Sequence, residues 1–185
     1  TATVTINHVL NGPGGALNQG TATLTNSILE GPFENQGTAT LTNAVFNGSL
    51  FNTGELTVAG GNSVVTGATT SINGGRVTVI AGASLEKNCG SFDWNDGALG
   101  GTGTVNLLTG AAVFNIGGTG TRVIDGLSLS LNTVTVPGGS FELRTGALTV
   151  SGLTSIPRGA RLVYAGGTLN LAGPANNAGV FEVQT

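Results

Sequence analysis

Apolar and polar positions alternate between Thr21 and Thr25, with Ala22 and Leu24 set against Thr21, Thr23 and Thr25. A two-residue period of this kind is that of a β-strand with one face buried. The same five residues return at Thr38–Thr42, and the likeness extends well beyond them. Residues 21–37 and 38–54 each run Thr-Ala-Thr-Leu-Thr-Asn, a short apolar stretch and then Asn-x-Gly, a recurrence of 17 residues with no gap. Self-similarity at such a period predicts a chain of stacked coils.

The register continues in both directions. Thr-Ala-Thr-Val-Thr opens the chain, and Glu55, Leu56, Thr57 and Val58 take the same place after residue 54. Asn18, Asn35 and Asn52 each stand two residues before a glycine, as do Asn73 and Asn177. Cutting after these glycines and similar ones gives units of 20, 17, 17, 21, 28, 17, 19, 20 and 20 residues, with residues 180–185 left as a further first strand. No stretch carries apolar residues at helical spacing. The 33 glycines and 5 prolines in 185 residues also disfavour helix, the prolines clustering with glycine at corners.

Units this short bury an apolar side only by stacking on their neighbours. Stacked, each strand pairs in parallel with its counterpart one coil away. Ala2, Ala22 and Ala39 are then expected to form one inward column, and Val4, Leu24, Leu41 and Val58 another. Asn18, Asn35 and Asn52 are expected to form a ladder, each satisfying a turn and bonding to its equivalent one coil away. The fold expected is all-β: a single right-handed parallel β-helix, or β-solenoid, over residues 1–185, of about nine coils with 17–28 residues each. At about 4.8 Å per coil it is roughly 43 Å long.

Composition narrows the partners. Hydrophobic content of 39% supports a packed core, while charged residues make up only 8% and net charge is −3. The six basic residues are dispersed, so nothing supplies the basic stripe that a phosphate backbone requires, and no nucleic acid partner is expected. No apolar run approaches the length of a membrane span. Cys89 is the sole cysteine, which leaves no disulfide framework. The first residues lack a signal-peptide pattern, and Thr1 is read as a processed start of a secreted chain.

Residues 14–26, Gly-Gly-Ala-Leu-Asn-Gln-Gly-Thr-Ala-Thr-Leu-Thr-Asn, resemble the repeats of polymorphic outer-membrane-type proteins. Residues 92–97 and 100–105 resemble the β-strand repeats of very large bacterial surface proteins, and residues 176–183 are similar to their strand-turn refrain. The resemblance implies an extracellular or cell-surface rod of the kind found in haemagglutinin-like adhesins, autotransporter passengers and stalks.

Candidate chemistry is sparse. Residues 117–122, Gly-Gly-Thr-Gly-Thr-Arg, resemble the calcium-binding nonapeptide of β-rolls, but Arg122 stands where the aspartate ligand belongs, and no metal site or cofactor is expected. His8, the only histidine, excludes multi-histidine metal sites. The 28-residue unit is expected to carry a long loop that gathers Lys87, Asp93, Trp94 and Asp96, the place where a ligand would be held. Its two aspartates lie in one loop without a second carboxylate cluster on neighbouring coils, so the chain is not read as an enzyme. Outward threonines at 1, 3, 5, 21, 23, 25, 38, 40 and 42 form a grid like that of β-solenoid ice-binding proteins, but Glu55 and Arg76 interrupt it.

Neither end carries a charge cluster or an aperiodic cap. The first strand (Thr1, Thr3, Val4, Thr5) and the last (Val180, Phe181, Val183) are therefore expected to offer open edges for head-to-tail association of copies. The role expected is structural, a filament subunit or stalk segment at the cell surface. The alternative is an adhesin module whose partner is a surface glycan or host protein. Ice binding and polysaccharide chemistry stand further back.

Overall fold

The computed structural model describes residues 3–6, 9–10, 14–107, 112–131 and 133–184. Among these the chain is all-β, a parallel β-solenoid of about eight turns, close to the nine coils expected. Each coil places three strands in order. In the second coil these are Thr21–Thr25, Ile28–Leu29 and Phe33–Asn35, and in the third Thr38–Thr42, Val45–Phe46 and Leu50–Asn52.

Each strand pairs in parallel with its counterpart in the next coil. Thr21 faces Thr38, which faces Glu55, then Arg76, Ala98, Val123, Glu142, Val163 and Glu182, in steps of 17, 17, 21, 22, 25, 19, 21 and 19 residues. Thr3–Ile6 adds one more strand below Thr21. Thr1, Ala2 and His8 lie outside the described residues.

Alternation along each strand sets the core. Ala22, Ala39, Leu56, Val77, Leu99, Ile124 and Leu143 form one buried column of the first strands. Leu24, Leu41, Val58 and Val79 form the next. Leu29, Phe46 and Val65 stack in the second strands, and Phe33 and Leu50 in the third. Burying a side chain of this size contributes about 1.5–3 kcal/mol.

Two sequence expectations change. Val4 faces Ala22, and Ile6, not Val4, stands in the Leu24 column. A slip of two residues keeps every side chain on its own side of the sheet, so alternation alone does not detect it. Secondly, there is no 28-residue unit with a long loop. Residues 84–87 and 90–101 are strands, and Ala98–Gly101 already pairs with Arg76–Val79 as the next first strand. The corner before it is Asn95-Asp96-Gly97, with Gly97 at φ 89°, a further Asn-x-Gly in the sequence.

The coils approach closely at these corners. Thr38 N–H donates to Gly20 O and Glu55 N–H to Gly37 O, both at 2.8 Å. A Cβ on Gly37 would lie 2.2 Å from Gly20 O, and one on Gly54 2.1 Å from Gly37 O, so only glycine fits.

Candidate functional site

Three places carry the polar chemistry: the asparagine corner of the first coils, the middle coils where ligand residues were expected, and the two end rungs.

At the corner, Asn18, Asn35 and Asn52 are buried and stacked in register. Asn18 Nδ2 donates to Asn35 Oδ1, and Asn35 Nδ2 to Asn52 Oδ1, both at 2.7 Å. The same amides donate to the backbone oxygens of Thr38, Glu55 and Gly54, and Asn18 Oδ1 accepts from Gly20 N. One side chain thus closes the turn of its own coil and bonds across to the next. From Ile72 onward the column turns apolar, continuing as Trp94 and Ile116. A second asparagine pair escaped the sequence reading. Asn26 and Asn43 adopt positive φ of 49° and 51°, and Asn43 Nδ2 donates to Asn26 Oδ1 at 3.2 Å. The signal was the asparagine that closes both Thr-Ala-Thr-Leu-Thr strands.

In the middle coils the four expected ligand residues divide. Lys87 and Trp94 point inward, 2% and 0% exposed, whereas Asp93 and Asp96 face outward. The reason is strand periodicity: Leu85 and Lys87 share one side of their strand, and Phe92 and Trp94 share one side of theirs. Trp94 stacks between Ile72 and Ile116 and meets the rings of Phe114 and Phe141 edge-on. Asp93 accepts from Ser91 Oγ at 2.9 Å and from Asn115 Nδ2 at 2.7 Å. Asp96 Oδ1 caps the backbone N–H groups of Gly97 at 2.8 Å and Thr121 at 3.0 Å. The two aspartates thus serve the neighbouring coils.

Lys87 takes an apolar place in the second-strand column, between Val65 and Leu107. Its ammonium donates to Gly67 O. Burial pushes it below the ordinary lysine value of 10.5, partly countered by Cys89 and Asp93. Because the folded chain releases this proton more readily than the unfolded chain does, stability rises with pH from the lowered folded value up to 10.5. Lys87→Met is expected to flatten that rise and to stabilise the neutral-pH protein by about 1–4 kcal/mol. Urea unfolding of both proteins from pH 7 to 10 checks this; parallel profiles overturn it.

Arg122 is also buried, at 0% exposure, with five hydrogen bonds to backbone carbonyls. Nη1 donates to Gly117 O and to Gly118 O, the latter at 3.1 Å; Nη2 donates to Gly138 O and to Ser140 O, the latter at 3.1 Å; Nε also reaches Ser140 O, at 3.3 Å. Burial lowers its pKa, partly opposed by Asp96. The guanidinium thus occupies the cluster of carbonyl oxygens that a metal cation would need. Among the described residues no three His, Cys, Asp or Glu side chains gather as a metal site.

The end rungs complete the picture. Among the described residues Thr3–Ile6 pairs only with Thr21–Leu24, and Val180–Val183 only with Arg161–Tyr164. Val4 is 50% exposed and Phe181 42%, although both stand in columns that are buried one coil further in. Val180 and Val183 are exposed too, and Thr5 faces outward. Leu171, Ala175 and Phe181 border a hollow of about 260 Å³ at the far end of the core. A lateral hollow of about 250 Å³ lies beside Leu17, Pro32, Glu34 and Phe51.

The threonine grid stands as ladders. Thr21, Thr23 and Thr25 face Thr38, Thr40 and Thr42, and Glu55 and Arg76 follow in the Thr38 column. No family model, curated protein or solved structure matches the chain.

Proposed function

We propose that the chain is a structural segment of an extracellular β-solenoid rod, continued at its first and last strands by further parallel coils, either of its own copies joined head to tail in a filament or of the stalk of a longer cell-surface protein. One observation carries this reading: an inward column runs from Val4 through Ala22, Leu56 and Leu143 to Tyr164 and Val183, and its two end residues are exposed on strands whose outer edge is unpaired among the described residues. Backbone groups on such an edge pair readily with another strand, and the apolar columns add burial to the ladder. A joint in which the same two unlike edges meet each time gives an open filament unless its rotation closes a ring. The adhesive reading loses two of its anchors, since Lys87 and Trp94 are inward.

Electron microscopy and sedimentation of the 185-residue chain test the proposal. Filaments many times longer than about 43 Å are expected, and they should survive high salt because few charges lie in the joint. Val4→Pro, or removal of residues 180–185, is expected to leave single folded rods. Single rods from the unaltered chain at high concentration would overturn self-association.

A further inference from the structure

The ladders are not equally strong along the rod. Between the coil of residues 97–116 and the coil of residues 121–136, the first strands pair normally, Gly97–Gly100 against Arg122–Asp125. The second strands meet, among the described residues, only at Thr104 and Ser128. The coil before pairs Ser84–Lys87 with Thr104–Leu107, and the coil after pairs Ser128–Leu131 with Ala147–Val150. Among the described residues the third strands do not pair here. Phe114–Ile116 pairs back to Phe92–Trp94, Val134–Thr135 pairs forward to Thr154–Ser155, and the two belong to separate sheets. Between them lies a hollow of about 260 Å³, lined by Phe114, Asn115, Ile116, Thr133, Val134 and Thr135.

Side chains gather where the backbone ladder thins. Arg76 reaches over the intervening rung to Asp125, with Nη2 3.0 Å from Oδ2. It crosses at Gly100, where a Cβ would come within 2.2 Å of the guanidinium. Thr145 Oγ1 and Arg76 hold the Asp125 carboxyl below its ordinary range, and Arg144 adds to the pull. Asp96 holds the Thr121 amide from the coil below, and Arg122 joins the Gly117–Gly118 corner to Gly138 and Ser140. All of these ties lie along the first strands or the corner leading into them. The third-strand side has no hydrogen bond across the junction among the described residues; its link is the edge-on contact of the Trp94 ring with Phe141, at the end nearest the corner.

We propose that this junction is a hinge, its axis the ladder of Gly97–Gly100 on Arg122–Asp125 and its mouth the hollow between Phe114–Ile116 and Val134–Thr135. Three paired strands make a stiff joint, and a single ladder permits rotation about its own line. Local opening follows the places with fewest backbone bonds and least buried contact. The clasp of Arg76 on Asp125 keeps the axis closed while the opposite side widens.

Spin labels on the outward third-strand column measure this directly, in a Cys89→Ser background. Glu34 and Thr135 lie five coils apart across the junction, and Leu17 and Asn115 lie five rungs apart below it; all four are exposed, and the second pair, joined by continuous pairing, spans about 24 Å. The distance distribution for Glu34→Cys with Thr135→Cys is expected to be roughly twice as wide as that for Leu17→Cys with Asn115→Cys. Hydrogen exchange gives a second readout that needs no substitution. The Thr135 amide should exchange at least about tenfold faster than the Glu34 and Phe51 amides of well-paired third strands. Equal widths or equal protection would mean a rod as stiff here as elsewhere and would overturn the hinge.

Discussion

Leu41→Asp is expected to cost about 3–5 kcal/mol or more, enough to unfold a coil stack of ordinary stability. Leu41 is 0% exposed and stands between Leu24 and Val58, with apolar neighbours above and below. A carboxylate there meets no cation and no water, so it must ionise unpaired or take up a proton at a cost. Thr40→Asp, one residue away, is expected to cost under about 1 kcal/mol, because Thr40 points outward between Thr23 and Thr57. Urea denaturation followed by circular dichroism compares the two variants. Similar costs would mean that the alternation has been assigned to the wrong side of the sheet.

Arg122→Met comes next in size, at about 3–5 kcal/mol. The thioether fills much of the same space and makes none of the guanidinium's bonds, so the carbonyls of Gly117, Gly118, Gly138 and Ser140 lose their donor. Arg122→Lys is expected to recover only part of the loss, since an ammonium cannot serve two corners with one planar fork. The same denaturation assay measures both. A methionine variant within about 0.5 kcal/mol of the parent would show that water replaces the guanidinium at no cost.

How far the sequence could be read depended on how each residue earns its place. Thr21–Thr25 and Thr38–Thr42 are copies, and their 17-residue offset is the pairing register itself, so recurrence translated directly into structure. The inward places of Lys87 and Trp94 were also legible. Leu85 and Phe92 lie two residues before them on strands that alternate, but charge and the expected loop outweighed the period. Arg122 was not legible in the same way. It is followed by Val123 and Ile124, both buried, so three successive residues are inside and no alternation marks which side is which. Arg76 and Asp125 are 49 residues apart and meet across a coil boundary that no repeat motif announces. Interrupted ladders leave no trace in composition, because a strand that fails to pair has the same residues as one that does.

The matched coils of residues 21–37 and 38–54 bear on how such a chain changes over generations. Excising residues 38–54 would join Gly37 to Glu55 through the same corner that Gly54 now uses, and Glu55–Val58 would rest on Thr21–Leu24, the same residues in the same order as Thr38–Leu41. Duplicating the segment would be equally silent to its neighbours. Unequal recombination between the two coding stretches therefore alters length in increments of one rung, about 4.8 Å, leaving the first-strand ladder as it was and asking only the second and third strands to repack, with Leu29 in place of Phe46 on Val65 and Phe33 in place of Leu50 on Thr70. Reach becomes a trait that selection can adjust separately from folding.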